Sequence, residues 1–117
     1  MMEQSQETTS QARTPAADLY AITVDCELRA GARETFLALV RENATASLRE
    51  ERACLRFDVL VPIGDDPKSV VLYEIYRDRA AFEHHLITLH FLEFDEATRP
   101  MIMKKVVVEF TLREILV

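Results

Sequence analysis

The chain has no tryptophan, and among its 117 residues there are only two glycines and two cysteines. Each shortage closes off a class of function. Two glycines cannot build a loop that cradles a phosphate or a dinucleotide, and both Gly31 and Gly64 sit among turn residues. Cys26 and Cys54 offer no zinc spacing and no disulfide framework. Each stands in an apolar, strand-like context and is expected to be a buried free thiol. No window approaches the roughly 18 apolar residues of a membrane span. The N-terminus lacks the basic and apolar regions of a signal peptide, which points to a cytoplasmic setting. Positive charge is short as well. Fourteen Lys and Arg face twenty Asp and Glu, a net charge of −6, so neither nucleic acid nor an anionic membrane is an expected partner.

What remains is an ordinary globular composition, 49% hydrophobic and the length of one domain. So small a domain has a modest core, which favours a homodimer. Residues 1–17 are polar, without hydrophobic period, and read as a disordered tail; residues 18–117 form the folded domain. Leu19 to Leu28 alternates apolar and polar residues, the period of a strand. From Ala32 to about Glu51 the spacing is helical, with Phe36, Leu37, Val40, Ala44 and Leu48 on one arc. Cys54 to Val61 and Val70 to Arg77 alternate again and are joined by a short, turn-rich connection, the pattern of an antiparallel hairpin. Asp78 caps a short helix from Arg79 to about His85, and Thr88 caps another running toward Arg99. Val106 to Leu112 is a last strand, which Glu114 to Val117 could extend into a partner chain.

The order β-α-β-β-α-β predicts an α+β, ferredoxin-like antiparallel sheet with helices on one face. The other face is expected to carry Ala21, Thr23, Leu60, Val70, Leu72, Val107 and Thr111, mixed with Asp58, Glu74, Glu109 and Arg113. It is too apolar to stay wet, and packing against a second sheet would bury it.

Polar groups at positions expected to be buried carry the functional signal. Asn43 and Ser47 fall within the apolar arc of the first helix. A buried amide or hydroxyl must find partners. Ser47 can bond back to the carbonyl four residues earlier, whereas Asn43 is free to face a pocket. His84 and His85 are adjacent on a helix and point about 100° apart, so they cannot both face the sheet. With Phe82 and Leu86 facing in, His85 is the interior one and His84 is solvated. His84, His85 and His90 show no metal spacing and no third ligand, so no metal is expected. His90, beside Phe91, could line the mouth of the cavity. Tyr73 and Phe57 are expected on the pocket side of the sheet, with Glu74 and Asp58 opposite. The charged run Arg49-Glu50-Glu51-Arg52 reads as a solvated helix end. An Asn, a Tyr and a His converging on one cavity suit general acid–base work on a small carbonyl or phenol.

In these residues the chain resembles the antibiotic-biosynthesis monooxygenase domain family, within the dimeric α+β barrel superfamily. The matching pieces are Asn43 with Ser47, the strand Cys54-Leu55-Arg56-Phe57-Asp58-Val59, and Tyr73-Glu74-Ile75-Tyr76. Asp78, Ala81-Phe82 with His85, and His90-Phe91 with Phe94 complete the pattern, which runs from about Tyr20 to Leu112. Family members usually carry a glycine before the second strand, where this chain has Glu51-Arg52-Ala53. The resemblance implies a homodimeric barrel with one small-molecule pocket per subunit between sheet and helices. Catalytic roles would fall to Asn43, His85 and Tyr73. Phe36, Ser47, Phe57, His90 and Phe91 would line the pocket. Relatives include cofactor-independent oxygenases of quinols and phenols, and the autoinducer-2 phosphate isomerase. A monooxygenase is the leading expectation. An isomerase of a small phosphorylated hydroxy-ketone, or a dimeric binding module without turnover, are the alternatives.

Overall fold

The structure is a computed structural model and describes residues 18–116. The tail expected over residues 1–17 lies outside the described residues, as does Val117. The chain runs β1 (Leu19–Leu28), α1 (Arg33–Glu50), β2 (Cys54–Leu60), β3 (Ser69–Tyr76), α2 (Arg79–His85), α3 (Leu89–Thr98), a short 3₁₀ turn (Arg99–Met101) and β4 (Ile102–Leu112). Four strands form one antiparallel sheet in the order β2-β3-β1-β4, and the helices cover one face. This is the ferredoxin-like α+β arrangement read from the sequence. No helix among the described residues is long and apolar enough to cross a membrane.

β1 is an interior strand, between β3 and β4, and its alternation puts Ile22, Val24, Cys26 and Leu28 against the helices, all buried. Gly31, with φ +82°, makes the tight turn into α1 in a conformation that a side chain would oppose. α1 buries Phe36, Val40, Asn43, Ala44 and Ser47, the expected arc, although Leu48 stays half exposed. Both cysteines are buried and free, as expected. Desolvation pushes the Cys26 thiol up to about 11 and the Cys54 thiol up to about 12.

The sheet faces need correction. Val70, Leu72, Glu74, Val107, Glu109 and Thr111, expected on the open face, lie on the helix side. β3 is apolar on both alternations, so period two alone cannot orient it. Pairing decides instead: Glu74 stands opposite Ile22 on one side and Phe57 on the other. β4 is oriented the same way, with Glu109 opposite Ile22 and Val107 opposite Val24. A register shift between Cys54 and Arg56 adds one residue, Leu55, which is exposed. The extra residue lets both Cys54 and Phe57 face the helices. The open face therefore carries Thr23, Asp58, Tyr73, Val106, Val108 and Phe110. β4 ends at Leu112, and residues 113–116 continue without strand structure within the chain.

Candidate active site

Three helix ends build the site. On α1, Asn43 and Ser47 lie one turn apart on the buried face, with Asn43 only 3% exposed. The Ser47 hydroxyl donates to the Asn43 carbonyl at 2.7 Å, the back-bond expected of a helical serine. One turn further, Glu51 ends the helix in an extended conformation while its N–H still bonds the Ser47 carbonyl at 3.0 Å. That change of backbone direction turns the Glu51 side chain inward.

α2 starts where the Asp78 carboxylate accepts the Ala81 N–H at 2.9 Å, and it ends at His85. Thr88 then caps α3 and donates its hydroxyl to the His85 carbonyl at 2.7 Å, which ties the two helix ends together. The result is a buried cluster of three side chains. Glu51 Oε2 lies 2.7 Å from His85 Nδ1 and 2.5 Å from His90 Nε2. A carboxylate only accepts, so each of these nitrogens carries the proton. His85 then presents its lone pair on Nε2. Burial pushes the His85 imidazole below its ordinary value, outweighing the hydrogen bond and charge of Glu51. His84 is exposed, as expected.

Two hollows flank the cluster. Inside, a cavity of about 70 Å³ lies between sheet and helices, bordered by Phe36, Asn43, Glu74, Phe82, His85 and Phe91, with Lys105 from β4 at its rim. The His85 ring packs 5.1 Å from Phe91, 5.5 Å from Tyr76 and 6.4 Å from Phe57. Outside, a groove of about 700 Å³ runs between α1 and α3 and reaches Asn43, Glu51 and His90. The outer hollow is larger and somewhat more open, but the apolar walls and the His85 contact make the inner cavity the better candidate for chemistry.

Of the residues expected to form the site, Asn43, Ser47, His85, His90, Phe36, Phe57 and Phe91 are brought together around the cavity and the cluster. Tyr73 is not. It pairs with Thr23 and Asp58 on the open face of the sheet.

Two residues escaped the sequence reading. Glu51 is 7% exposed rather than part of a solvated helix end. Its signal was its spacing, since 43, 47 and 51 are successive turns of one helix face. It also supplies the third donor that the histidines were expected to lack: one atom each of Glu51, His85 and His90 lies within 4.8 Å of the others. Glu74 is 4% exposed, accepts the Tyr76 hydroxyl at 2.6 Å and borders the cavity, where it was expected on the far face. Desolvation raises its carboxyl to about 7, against the opposing pull of the Tyr76 hydrogen bond. Burial and the Glu74 charge in turn push the Tyr76 phenol well above its ordinary value.

A family model described as antibiotic biosynthesis monooxygenase matches residues 20–97. The chain belongs to the antibiotic biosynthesis monooxygenase family. The match spans every residue of the cluster and stops before β4, which contributes Lys105. Among solved structures, a putative antibiotic biosynthesis monooxygenase from Nitrosomonas europaea is 28% identical, with a TM-score of 0.76 over 81% of this chain and 90% of that one. Another antibiotic biosynthesis monooxygenase structure is 27% identical, with a TM-score of 0.70 over 78% of this chain and 95% of its own. A putative monooxygenase of the same family from Bacteroides thetaiotaomicron, 24% identical with a TM-score of 0.75 over 80% and 89%, shares the fold. No curated protein matches the chain.

Proposed function

We propose that this family member is a cofactor-independent monooxygenase acting on a small phenol or quinol. The observation that carries the reading is the Glu51–His85 pair beside an apolar cavity that also holds the Asn43 amide. Glu51 holds the His85 ring and its tautomer. Nε2 then takes the proton from the substrate hydroxyl. The Asn43 side-chain amide stabilises the phenolate. The electron-rich anion reduces O₂ directly and supplies all four electrons: one oxygen atom enters the ring, which loses two hydrogens and ends as a quinone, and the other leaves as water with those hydrogens. The cavity, about 70 Å³, is smaller than the roughly 150 Å³ that holds a benzene ring, so a phenol requires the lining side chains to move apart. The proposal includes a homodimer. Val106, Val108 and Phe110 leave the open sheet face 42–49% exposed at those positions, a patch that a second copy would cover.

Lys105 at the cavity rim favours a second reading. A cation there suits the phosphate of a small hydroxy-ketone, and the chain would then be an isomerase that uses no O₂.

The test is oxygen uptake by the chelator-treated protein with a panel of quinols and phenols. Uptake above autoxidation that falls at least 100-fold in His85→Ala and clearly in Asn43→Ala, with the fold intact, is the expected result. Uptake unaffected by either substitution refutes the assigned roles. No uptake with any substrate, together with turnover of a phosphorylated hydroxy-ketone, moves the protein to the second reading.

A further inference from the structure

We propose that Glu51, His85 and His90 form a binding site for one divalent transition-metal ion of the cobalt–zinc type. Three separate segments, the ends of α1 and α2 and the start of α3, bring Glu51 Oε2, His85 Nδ1 and His90 Nε2 within 4.8 Å of one another. Two imidazole nitrogens and one carboxylate oxygen are the donor set that borderline divalent ions prefer. Three protein donors leave a fourth position open to water or an anion, and the outer groove reaches His90 and Glu51.

The spacing fits after a small adjustment. Without an ion the carboxylate sits 2.7 Å and 2.5 Å from the two nitrogens, at hydrogen-bond distance. Donors bound tetrahedrally to one such ion at about 2.0–2.2 Å stand roughly 3.3–3.6 Å apart, so the carboxylate and the rings move apart by about 0.6–1.1 Å. The ion takes the lone pair of one nitrogen on each ring, and each neutral imidazole keeps its single proton on the other, His85 on Nε2 and His90 on Nδ1. The surroundings favour a cation. Glu42, Glu50 and Glu93 border the groove, opposed by Arg49 alone among its Lys and Arg side chains. Glu50 Oε1 lies 3.8 Å from His90 Nδ1 and would orient that ring from behind. The bond from Thr88 to the His85 carbonyl holds the other.

This site does not depend on turnover, but it has a consequence for it. An ion on His85 Nδ1 leaves the proton on Nε2, so the same imidazole cannot also act as the base. Metal binding and proton abstraction exclude one another, and the ion is an inhibitor of the reaction proposed above.

The test is titration of the full chain with Co²⁺, followed by its visible d–d absorption, and with Zn²⁺ by calorimetry. One ion per chain is expected. Binding should weaken about 100-fold or more in His90→Ala and in Glu51→Gln. His84→Ala, which removes an exposed histidine bordering the same groove, should bind as the wild type does. His90 is only partly buried, so His90→Ala keeps the test decisive even where Glu51→Gln fails to fold. Folded wild type that gives neither cobalt bands nor zinc heat overturns the proposal. So does binding that survives His90→Ala unchanged. Neither result touches the oxygen-uptake test, which is run without metal.

Discussion

Replacing Glu74 with glutamine should stabilise the protein, and by an amount that grows with pH. The Glu74 carboxyl is 4% exposed and its one described hydrogen-bond donor is the Tyr76 hydroxyl at 2.6 Å. Burial raises it from 4.5 to about 7. The folded chain therefore holds this proton more tightly than the unfolded chain does. Stability from this group is fully present below about pH 4.5 and is lost as pH rises toward 7 and beyond. A difference of that size corresponds to about 3 kcal/mol by pH 8. Glutamine keeps the acceptor oxygen for Tyr76 but carries no charge, so Glu74→Gln does not suffer this loss.

The measurement is urea unfolding of wild type and Glu74→Gln at pH 4.5, 6 and 8. The stability difference between the two proteins should move in favour of glutamine by about 3 kcal/mol from the lowest pH to the highest. Other titrating groups are common to both chains and largely cancel. A difference that does not change with pH would refute the reasoning. It would mean that the carboxylate is solvated or paired in the folded protein. Tyr76→Phe is the companion variant. It removes a hydrogen bond that favours the charged carboxylate, and should cost about 1.5–3 kcal/mol at pH 8 but less at pH 4.5.

Two further outcomes follow from the packing. Phe36 is fully buried and packs 5.8 Å from the Phe94 ring, so Phe36→Ala should lower stability by about 3–5 kcal/mol in the same assay. A loss under about 1 kcal/mol would place Phe36 outside the core. Cys26 and Cys54 are buried, with thiols raised to about 11 and about 12. A thiol reagent at pH 8 should leave both unlabelled in the native protein and label both in urea; rapid native labelling of either would show that its segment opens.

The elements were legible because each has its own local signal. β1 alternates cleanly, Asp78 and Thr88 cap their helices as their positions suggest, and Ser47 bonds its own helix backbone. Those contacts span only a few residues, so chain order alone determines them. The interior placement of His85 was legible for the same reason, since its helix has only one face to offer the sheet. Other features needed partners far along the chain. β3 is apolar on both alternations, and only its pairing with β1 and β2 puts Glu74 inside and Tyr73 outside. The bulge at Leu55 shifts a face by one residue, and a strict period of two cannot anticipate that. Glu51 reads locally as one charge in a charged run. Its burial depends on histidines 34 and 39 residues away. By itself the sequence determined which segments are helix or strand and which faces seek cover, because propensity, capping and periodicity act within a few residues. Which carboxylates enter the site was decided by the tertiary structure, because Glu51 is met there by histidines far along the chain and Glu74 is turned inward by the pairing of β3 with its neighbours.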